Sequence, residues 1–432
     1  MATTRTHHVA LVHGGRVLVD QDGALPRFEQ DPESDDPPDP TAYASTLVGP
    51  AVHLAPVLRL PDATGAVSRD SERLHVLAPR DAPTGADAWL RIDELPEPVA
   101  ARVRCAVEEY DGEPPARRPE WYRPGWHDRV EAWIDAGLTG TGLRRTGPTE
   151  VHRVWSISAV LRVPTDGGEL WFKACCDHFR AEAAILHRVA RRLPDLVPVV
   201  VAVDDDRGWL LMEPLVGASD DDRAPGAPEA LTPLWATAQQ ASLGWLDELT
   251  DAGCPDRSVE PTLAAWRRVL ATSPEMGLLS AEERAALASS TDEVEDRVRE
   301  LWSCGIPDTL SHGDLHLGNV AYDGSTLRLF DWTDACVSHP FLDAVHLAGF
   351  MQSDDGRSTL DVARAVTMPW RSAYPDADVD RALELAVLAD LVFQSVTFAA
   401  IDAATEEGAD DFTGTVAWLS RAVLREVGAL PE

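Results

Sequence analysis

Lysine is almost missing from this chain of 432 residues. Lys173 is the only one, although lysine and arginine together number 38. Enrichment in arginine and alanine fits a GC-rich coding sequence in which arginine replaces lysine wherever it can. A lysine that persists either survived by chance or sits where a compact ammonium does something a planar guanidinium cannot. Positive charge of any kind is scarce: 72 Asp and Glu leave a formal net charge of −34. Phosphate backbones are bound by basic patches, so this balance argues against nucleic acid as a partner. It suits a cationic ligand, and it serves solubility equally well, since the acids are spread over the whole chain. The six cysteines (Cys105, Cys175, Cys176, Cys254, Cys304, Cys336) form no Cys-x-x-Cys pair, which excludes a zinc framework of that kind. Cys175 and Cys176 are adjacent and read as reduced residues of a cytosolic protein. The N-terminus places polar Thr, Arg and His before a short apolar run, so neither a signal peptide nor a membrane span is expected, and the expected location is cytoplasmic. Internal repeats and low-complexity tails are also missing.

The chain does contain one dense stretch, Leu310-Ser311-His312-Gly313-Asp314-Leu315-His316-Leu317-Gly318-Asn319, followed by Arg328-Leu329-Phe330-Asp331-Trp332. Between its two parts the pattern is that of a hairpin. Asn319 to Tyr322 is strand-like, Asp323-Gly324-Ser325-Thr326 is turn-like, and Leu327 to Phe330 is strand-like again. With those four residues as the loop, Tyr322 faces Leu327, Asn319 faces Phe330, and Asp331 lands beside Asn319. A carboxylate next to an amide oxygen suits a hard cation such as Mg²⁺. Asp314, on the loop ahead of the hairpin, is free to orient and deprotonate a hydroxyl. A base and a metal site with little covalent work for the protein is the layout that phosphoryl transfer needs.

His-Gly-Asp-x-His-x-x-Asn followed by a strand ending in Asp-Trp resembles the catalytic core of the aminoglycoside phosphotransferase family. The resemblance implies a protein-kinase-like fold, Asp314 as catalytic base, Asn319 and Asp331 as metal ligands, and His312 as a brace for the loop. It covers the chain from about residue 127 to the C-terminus. It implies ATP as donor, with GTP an open alternative, Mg²⁺ as the metal, and a hydroxylated small molecule as acceptor.

Ahead of that region, residues 1–112 read as a small α+β domain. A hairpin is expected around His13-Gly14-Gly15, an exposed loop over 31–40, apolar runs at 51–60 and 74–77, and an amphipathic helix over 98–110. The opening hairpin and Leu25-Pro26-Arg27-Phe28-Glu29 faintly resemble the start of a Nudix domain, but the Nudix box is not present, so this is read as an accessory module. Residues 113–126 form a linker dense in Pro, Arg and aromatics, and its Trp121, Tyr122 and Trp126 are expected to pack rather than bind a ligand.

Residues 127–217 read as the smaller lobe: a helix over 127–138, then three antiparallel strands, with Lys173 at the end of the third. Kinase-like folds hold their phosphate-gripping lysine there. A helix over 179–193 follows. Its first turn carries Glu182, which is either the partner of Lys173 or a carboxylate favoured by the helix dipole. No Gly-x-Gly-x-x-Gly precedes the strands. Ser156-Ile157-Ser158 stands in the place of the phosphate-covering loop, where Ser158 and backbone N–H groups would meet the nucleotide. By resemblance, 208–215 is the strand leading to the hinge, where backbone groups of Glu213 and Leu215 would bind adenine, beside Met212.

Residues 218–432 read as a helical lobe. An acidic loop (Asp220, Asp221, Asp222) precedes helices over 228–251, 259–272 and 280–304, and further helices start after His339 and cover 360–370, 379–404 and 413–430. Asp343 reads as an anchor rather than a catalyst. Trp370, Asp354, Asp355, Glu406, Glu407, Asp410 and Asp411 fall where the family builds its acceptor pocket. The expected fold is therefore α+β and bilobal, with a small domain ahead of it. The expected activity is ATP·Mg²⁺-dependent phosphorylation of a small-molecule hydroxyl. A catalytically silent nucleotide-binding module is the alternative, and a hydrolase at the N-terminus regulated by the rest is a third reading.

Overall fold

The computed structural model describes residues 5–30, 40–60, 71–83, 88–217, 226–355, 359–406 and 411–430, apart from the side chains of 351–362. The loop expected over 31–40 lies outside these except for Pro40, which opens a helix, and the acidic loop at Asp220 to Asp222 lies outside them entirely. The fold is mixed α+β. Contacts group 1–176, 210–212 and 405–409 into one compact unit, and 177–209, 213–404 and 410–432 into a second.

The first unit opens with a seven-stranded sheet. Its main order is Ala51–His53, Arg73–Pro79, Arg5–His13, Arg16–Leu18, Trp89–Arg91. Arg5–His13 runs parallel to Arg73–Pro79 (Ala10 opposite Val76) and antiparallel to its other partners. Successive side chains of a strand point to opposite faces, so Ala10 and Val12 join one layer while Val9 and Leu11 join the other. The first layer is completed by Ala100, Val103 and Ala106, at helical spacing on Val99–Asp111. The second is completed by Ala44 of Pro40–Val48. Being covered on both sides explains why residues 9–12 of this strand, Val-Ala-Leu-Val, are apolar without alternation. The expected hairpin is present, with Val12 opposite Val17. Gly14 and Gly15 both have positive φ (56° and 74°), as the tight two-residue turn requires.

The linker aromatics are buried as expected: Trp121, Tyr122 and Trp126 are each at most 3% exposed. The Trp121 indole donates to the Trp155 carbonyl at 2.9 Å. Arg118 is buried and ion-paired with both Glu109 and Glu406. The helix Trp126–Gly137 turns Trp126, Val130 and Ile134 inward. Three antiparallel strands follow, Glu150–Val154, Ser158–Thr165 and Gly168–Cys175, with Lys173 opposite Val160.

In the second unit, helices Val259–Thr272, Ala281–Ser303, Phe341–Asp355, Thr359–Ala373 and Thr415–Glu426 surround Val379–Ala404. That central helix is long and apolar enough to cross a membrane by length and composition. Its Leu383, Ala386, Val392 and Phe393 are core residues packed among the other helices. One expectation is corrected here: the single helix over 228–251 is two, Ala227–Ser242 and Leu246–Asp251. The break falls at Leu243-Gly244-Trp245, where Gly244 has low helix propensity and the N–H groups of 243–245 turn back to carbonyls three residues earlier.

Candidate active site

Two short antiparallel ladders frame the catalytic stretch. Thr309–Ser311 pairs with Cys336–Ser338, and Val320–Tyr322 pairs with Leu327–Leu329. The hairpin register is the one read from the sequence: Tyr322 lies opposite Leu327, and the Phe330 N–H donates to the Asn319 carbonyl at 3.1 Å. Asn319 itself ends a tight turn, Leu317–Asn319, rather than starting the strand. The loop from His312 to Gly318 therefore leaves one ladder and enters the other with both ends fixed.

Its middle is held from beneath by Asp343. That carboxylate accepts the N–H groups of His312 (2.9 Å) and Gly313 (3.0 Å), the Trp235 indole (3.1 Å) and the Gln239 amide (3.2 Å). Burial pushes its pKa up to about 6, against the pull of those donors. Asp343 is thus an anchor. Gly313 has φ +82°, and a Cβ there would run into the Asp334 carbonyl, so only glycine fits. His312 is fully buried. Its Nε2–H donates to the Phe330 carbonyl at 3.0 Å and its ring packs on Trp332, while burial lowers its pKa to about 4 and keeps it neutral. It ties the loop to the second strand of the hairpin, as a brace should.

Asp314 is enclosed on two sides. The Asn319 amide donates to the Asp314 carbonyl (2.8 Å) and to Oδ2 (3.2 Å). Oδ1 lies 3.2 Å from His346 Nε2, and Oδ2 lies 3.6 Å from His316 Nε2. His316 Nδ1 accepts the Gly318 N–H, so the proton of the neutral ring belongs on Nε2, facing Asp314. Burial raises the Asp314 pKa, but His316 and His346 outweigh it and hold the carboxyl well below the usual carboxylate range. The side chain keeps 40% exposure, which leaves lone pairs open to a ligand.

Asp331 follows the hairpin with φ +61°, a left-handed conformation that Asp tolerates better than most residues. Thr333 Oγ1 donates to its Oδ1 at 3.1 Å. The next residue, Trp332, donates its N–H to Glu182 Oε1 at 2.9 Å and its indole to the Leu329 carbonyl. Nearby Asp334 is half-buried, and desolvation together with Asp314 and Asp331 pushes its pKa up to about 7.

This geometry fits a hard cation. The Asn319 NH₂ is committed to Asp314, so its amide oxygen faces away from Asp314, and Asp331 adds a carboxylate. Among the described residues no three His, Cys, Asp or Glu side chains converge as a cage. Two protein oxygens completed by phosphate and water is the manner in which Mg²⁺ is usually held.

The remaining candidates are distributed as follows. Lys173 is buried in the strand Gly168–Cys175 of the first unit. Ser158 opens the neighbouring strand, and its buried hydroxyl accepts the Trp155 indole at 2.6 Å. Glu182 opens the helix Glu182–Arg192 and is buried against Trp332. The Glu213 N–H donates to the Val199 carbonyl, leaving its carbonyl for any further partner, and Leu215 is half-buried two residues on. In the expected acceptor region, Trp370 is 1% exposed and stacks on Tyr374 within the helical core, because its helix turns that face inward. Glu406 is held by Arg118, and Asp411 is exposed. The side chains of Asp354 and Asp355, and residues Glu407 and Asp410, lie outside the described residues.

Residues 149–383, more than half of the chain, match the family model described as APH, phosphotransferase enzyme family. The chain belongs to this phosphotransferase family. No curated protein matches it. Similar solved structures include a macrolide 2'-phosphotransferase type I, at 17% identity over 68% of this chain and 96% of that one, TM-score 0.42. An aminoglycoside 2'-phosphotransferase-IIIa in complex with GDP shares 14% over 70% and 100%, TM-score 0.47. A choline kinase from Cryptosporidium parvum shares 12% over 70% and 96%, TM-score 0.49.

In this phosphotransferase the sequence reading missed His346, Asp390 and Gln394. His346 Nδ1 lies 3.4 Å from Asp390 Oδ2, and the Gln394 amide donates to the Gly313 carbonyl at 3.1 Å. A signal was available. His346 is one turn beyond Asp343 and so shares its face, and Asp390 and Gln394 are four apart on one apolar helix, where polar side chains need a reason.

Proposed function

We propose that this phosphotransferase moves the γ-phosphoryl group of ATP, with Mg²⁺, to a hydroxyl of a small molecule. The observation that carries the reading is the fixed pair Asp314 and Asn319: a carboxylate held ionised with open lone pairs, and an amide whose nitrogen is committed to it so that its oxygen is left for another ligand. In this reading Asp314 orients the acceptor hydroxyl and takes its proton. Asn319 and Asp331 hold the metal, which offsets charge on the transferring group. Lys173 grips the α- and β-phosphates and Glu182 steadies its ammonium. Backbone groups of Glu213 and Leu215 receive the base, and the backbone near Ser158 covers the phosphates. The family identifies the reaction class, and the acceptor is set by the site rather than by the fold.

The test is a transfer screen over hydroxylated antibiotics and metabolites with ATP and with GTP, read by mass shift. Asp314→Asn is the control. It should abolish transfer and leave nucleotide affinity within about a few-fold, because the base touches the acceptor and not the nucleotide. Transfer at the wild-type rate in Asp314→Asn removes the base assignment.

A further inference from the structure

His346 lies on Phe341–Asp355 with both ring nitrogens facing carboxylates, Nε2 at 3.2 Å from Asp314 Oδ1 and Nδ1 at 3.4 Å from Asp390 Oδ2. A neutral imidazole has one N–H and one lone pair, and would turn the lone pair toward one of the two carboxylates. Only the imidazolium donates to both. The Gln394 amide nitrogen is also 3.3 Å from Nδ1 and gives one proton to the Gly313 carbonyl at 3.1 Å; a neutral ring could accept its other proton at Nδ1, but that ring would leave Asp390 with neither a donor nor a counter-charge. Asp390 adds a second observation: its Oδ1 is buried with no hydrogen-bond partner, and His346 is the cation that faces its other oxygen among the described residues. A buried carboxylate without a counter-charge is costly, so Asp390 favours the charged ring. Phe350 covers the ring edge-on at 5.2 Å and stacks on His316.

We propose that His346 is a positioning residue of this phosphotransferase: held as an imidazolium between Asp390 and Asp314, it fixes the Asp314 carboxylate so that its remaining lone pairs meet the acceptor hydroxyl. This rests on the reading of Asp314 as base. Asp314 is then clamped at Oδ1 by His346 and at Oδ2 by Asn319. The helix Val379–Ala404 supports the catalytic loop twice from one face, through Asp390 and His346 to the base, and through Gln394 to the Gly313 carbonyl. The direction of titration agrees: burial works against the charge, but Asp390 and Asp314 raise the His346 pKa to about 10.

The experiment has two arms on the full chain. The first is NMR of histidine ring nitrogens at neutral pH, with His346→Gln used to assign the resonance. A ring protonated on both nitrogens in the wild type, reverting toward one N–H in Asp390→Asn, is expected. The second is phosphate release from Mg²⁺·ATP with water as acceptor, which needs no knowledge of the natural substrate. His346→Leu should lower kcat about a hundredfold, the scale of a base moved by about 1 Å, with KM for ATP unchanged. His346→Gln, which keeps a donor toward Asp314, should recover part of that loss, and thermal melting checks that both variants fold. A singly protonated ring in the wild type, or a wild-type kcat in folded His346→Leu, overturns the proposal. A rise in KM for ATP alongside the fall in kcat assigns His346 to the nucleotide site rather than to Asp314 and also overturns it. A doubly protonated ring in a wild type that turns over neither ATP nor GTP, with water or any screened acceptor, instead overturns the phosphotransfer reading of Asp314, and the positioning role goes with it.

Discussion

The Glu182 carboxylate accepts the backbone N–H of Trp332 at 2.9 Å, and both groups are buried. The first turn of the helix Glu182–Arg192 is thereby joined to the peptide just after Asp331, whose backbone is left-handed. One carboxylate oxygen serves this bond, and the proposed hold on Lys173 is a separate use of the same group.

Two substitutions separate those uses. Glu182→Ala strands the Trp332 N–H in the interior and should cost about 1–3 kcal/mol of stability. Glu182→Gln keeps an oxygen acceptor and should retain most of that stability while losing the charge. If Glu182 also steadies Lys173, Glu182→Gln should still lose turnover. Chemical denaturation and ATP turnover measured on both variants give the two readings. Full turnover in a stable Glu182→Gln protein would limit the residue to holding Trp332.

Gly313 gives a test of the loop itself. Its φ of +82° is strained for any side chain, and a Cβ would meet the Asp334 carbonyl. Gly313→Ala should destabilise the protein by more than about 1 kcal/mol. Because the N–H of Gly313 is one of the bonds to Asp343, displacement should carry to Asp314 next door. Turnover should therefore fall further than the loss of folded protein explains, which an activity assay normalised to the folded fraction would detect.

The pH dependence of stability has a definite sign at His346. Its folded pKa, about 10, lies above the ordinary histidine value of 6.5. Below about pH 6.5 the ring is charged in both the folded and the unfolded chain, and its stabilisation is fully present. As pH rises from there toward 10 the unfolded chain loses the proton while the folded protein keeps it, so the contribution declines and is gone above the folded pKa. The stability difference between wild type and His346→Gln should thus be wide at pH 6 and narrow by pH 9.5. Urea titrations at both values check this, and a difference that widens with pH would contradict it.

The arrangement of the candidate residues around the hairpin was legible because it is local. The spacing of Asp314, Asn319 and Asp331 together with one hairpin register places three groups, and the register is dictated by a turn whose residues can be read directly. The single lysine stood out by composition. The support of the loop was less legible, since it comes from distant positions: Asp343 was recognised only as an anchor, and its four donors include Trp235 and Gln239, about a hundred residues earlier. Asp390 sits in a helix that reads as apolar core, and only the packing of that helix against Phe341–Asp355 brings it to His346. The facing of Trp370 was not legible from its place along the chain; helical packing turns it into the core.

The last prediction concerns Lys173. The structure buries it to 8% exposure in a strand, opposite Val160, with Phe172 fully buried beside it. A guanidinium is wider than an ammonium and presents a rigid fork of donors, so a buried position shaped for the smaller cation does not accept it without moving its neighbours. A chain that writes arginine at every other such position has kept lysine here. Lys173→Arg should therefore be nearly as damaging to turnover as Lys173→Ala, although it keeps the charge. The uniqueness of the residue makes a second measurement clean: apart from the N-terminal amine, Lys173 is the only amine an acylating reagent can modify. Its labelling should be slow in the folded protein and slower still with saturating ATP and Mg²⁺. Equal labelling with and without nucleotide, together with an active Lys173→Arg enzyme, would mean that the lysine survived by chance and that the phosphates are gripped by another group.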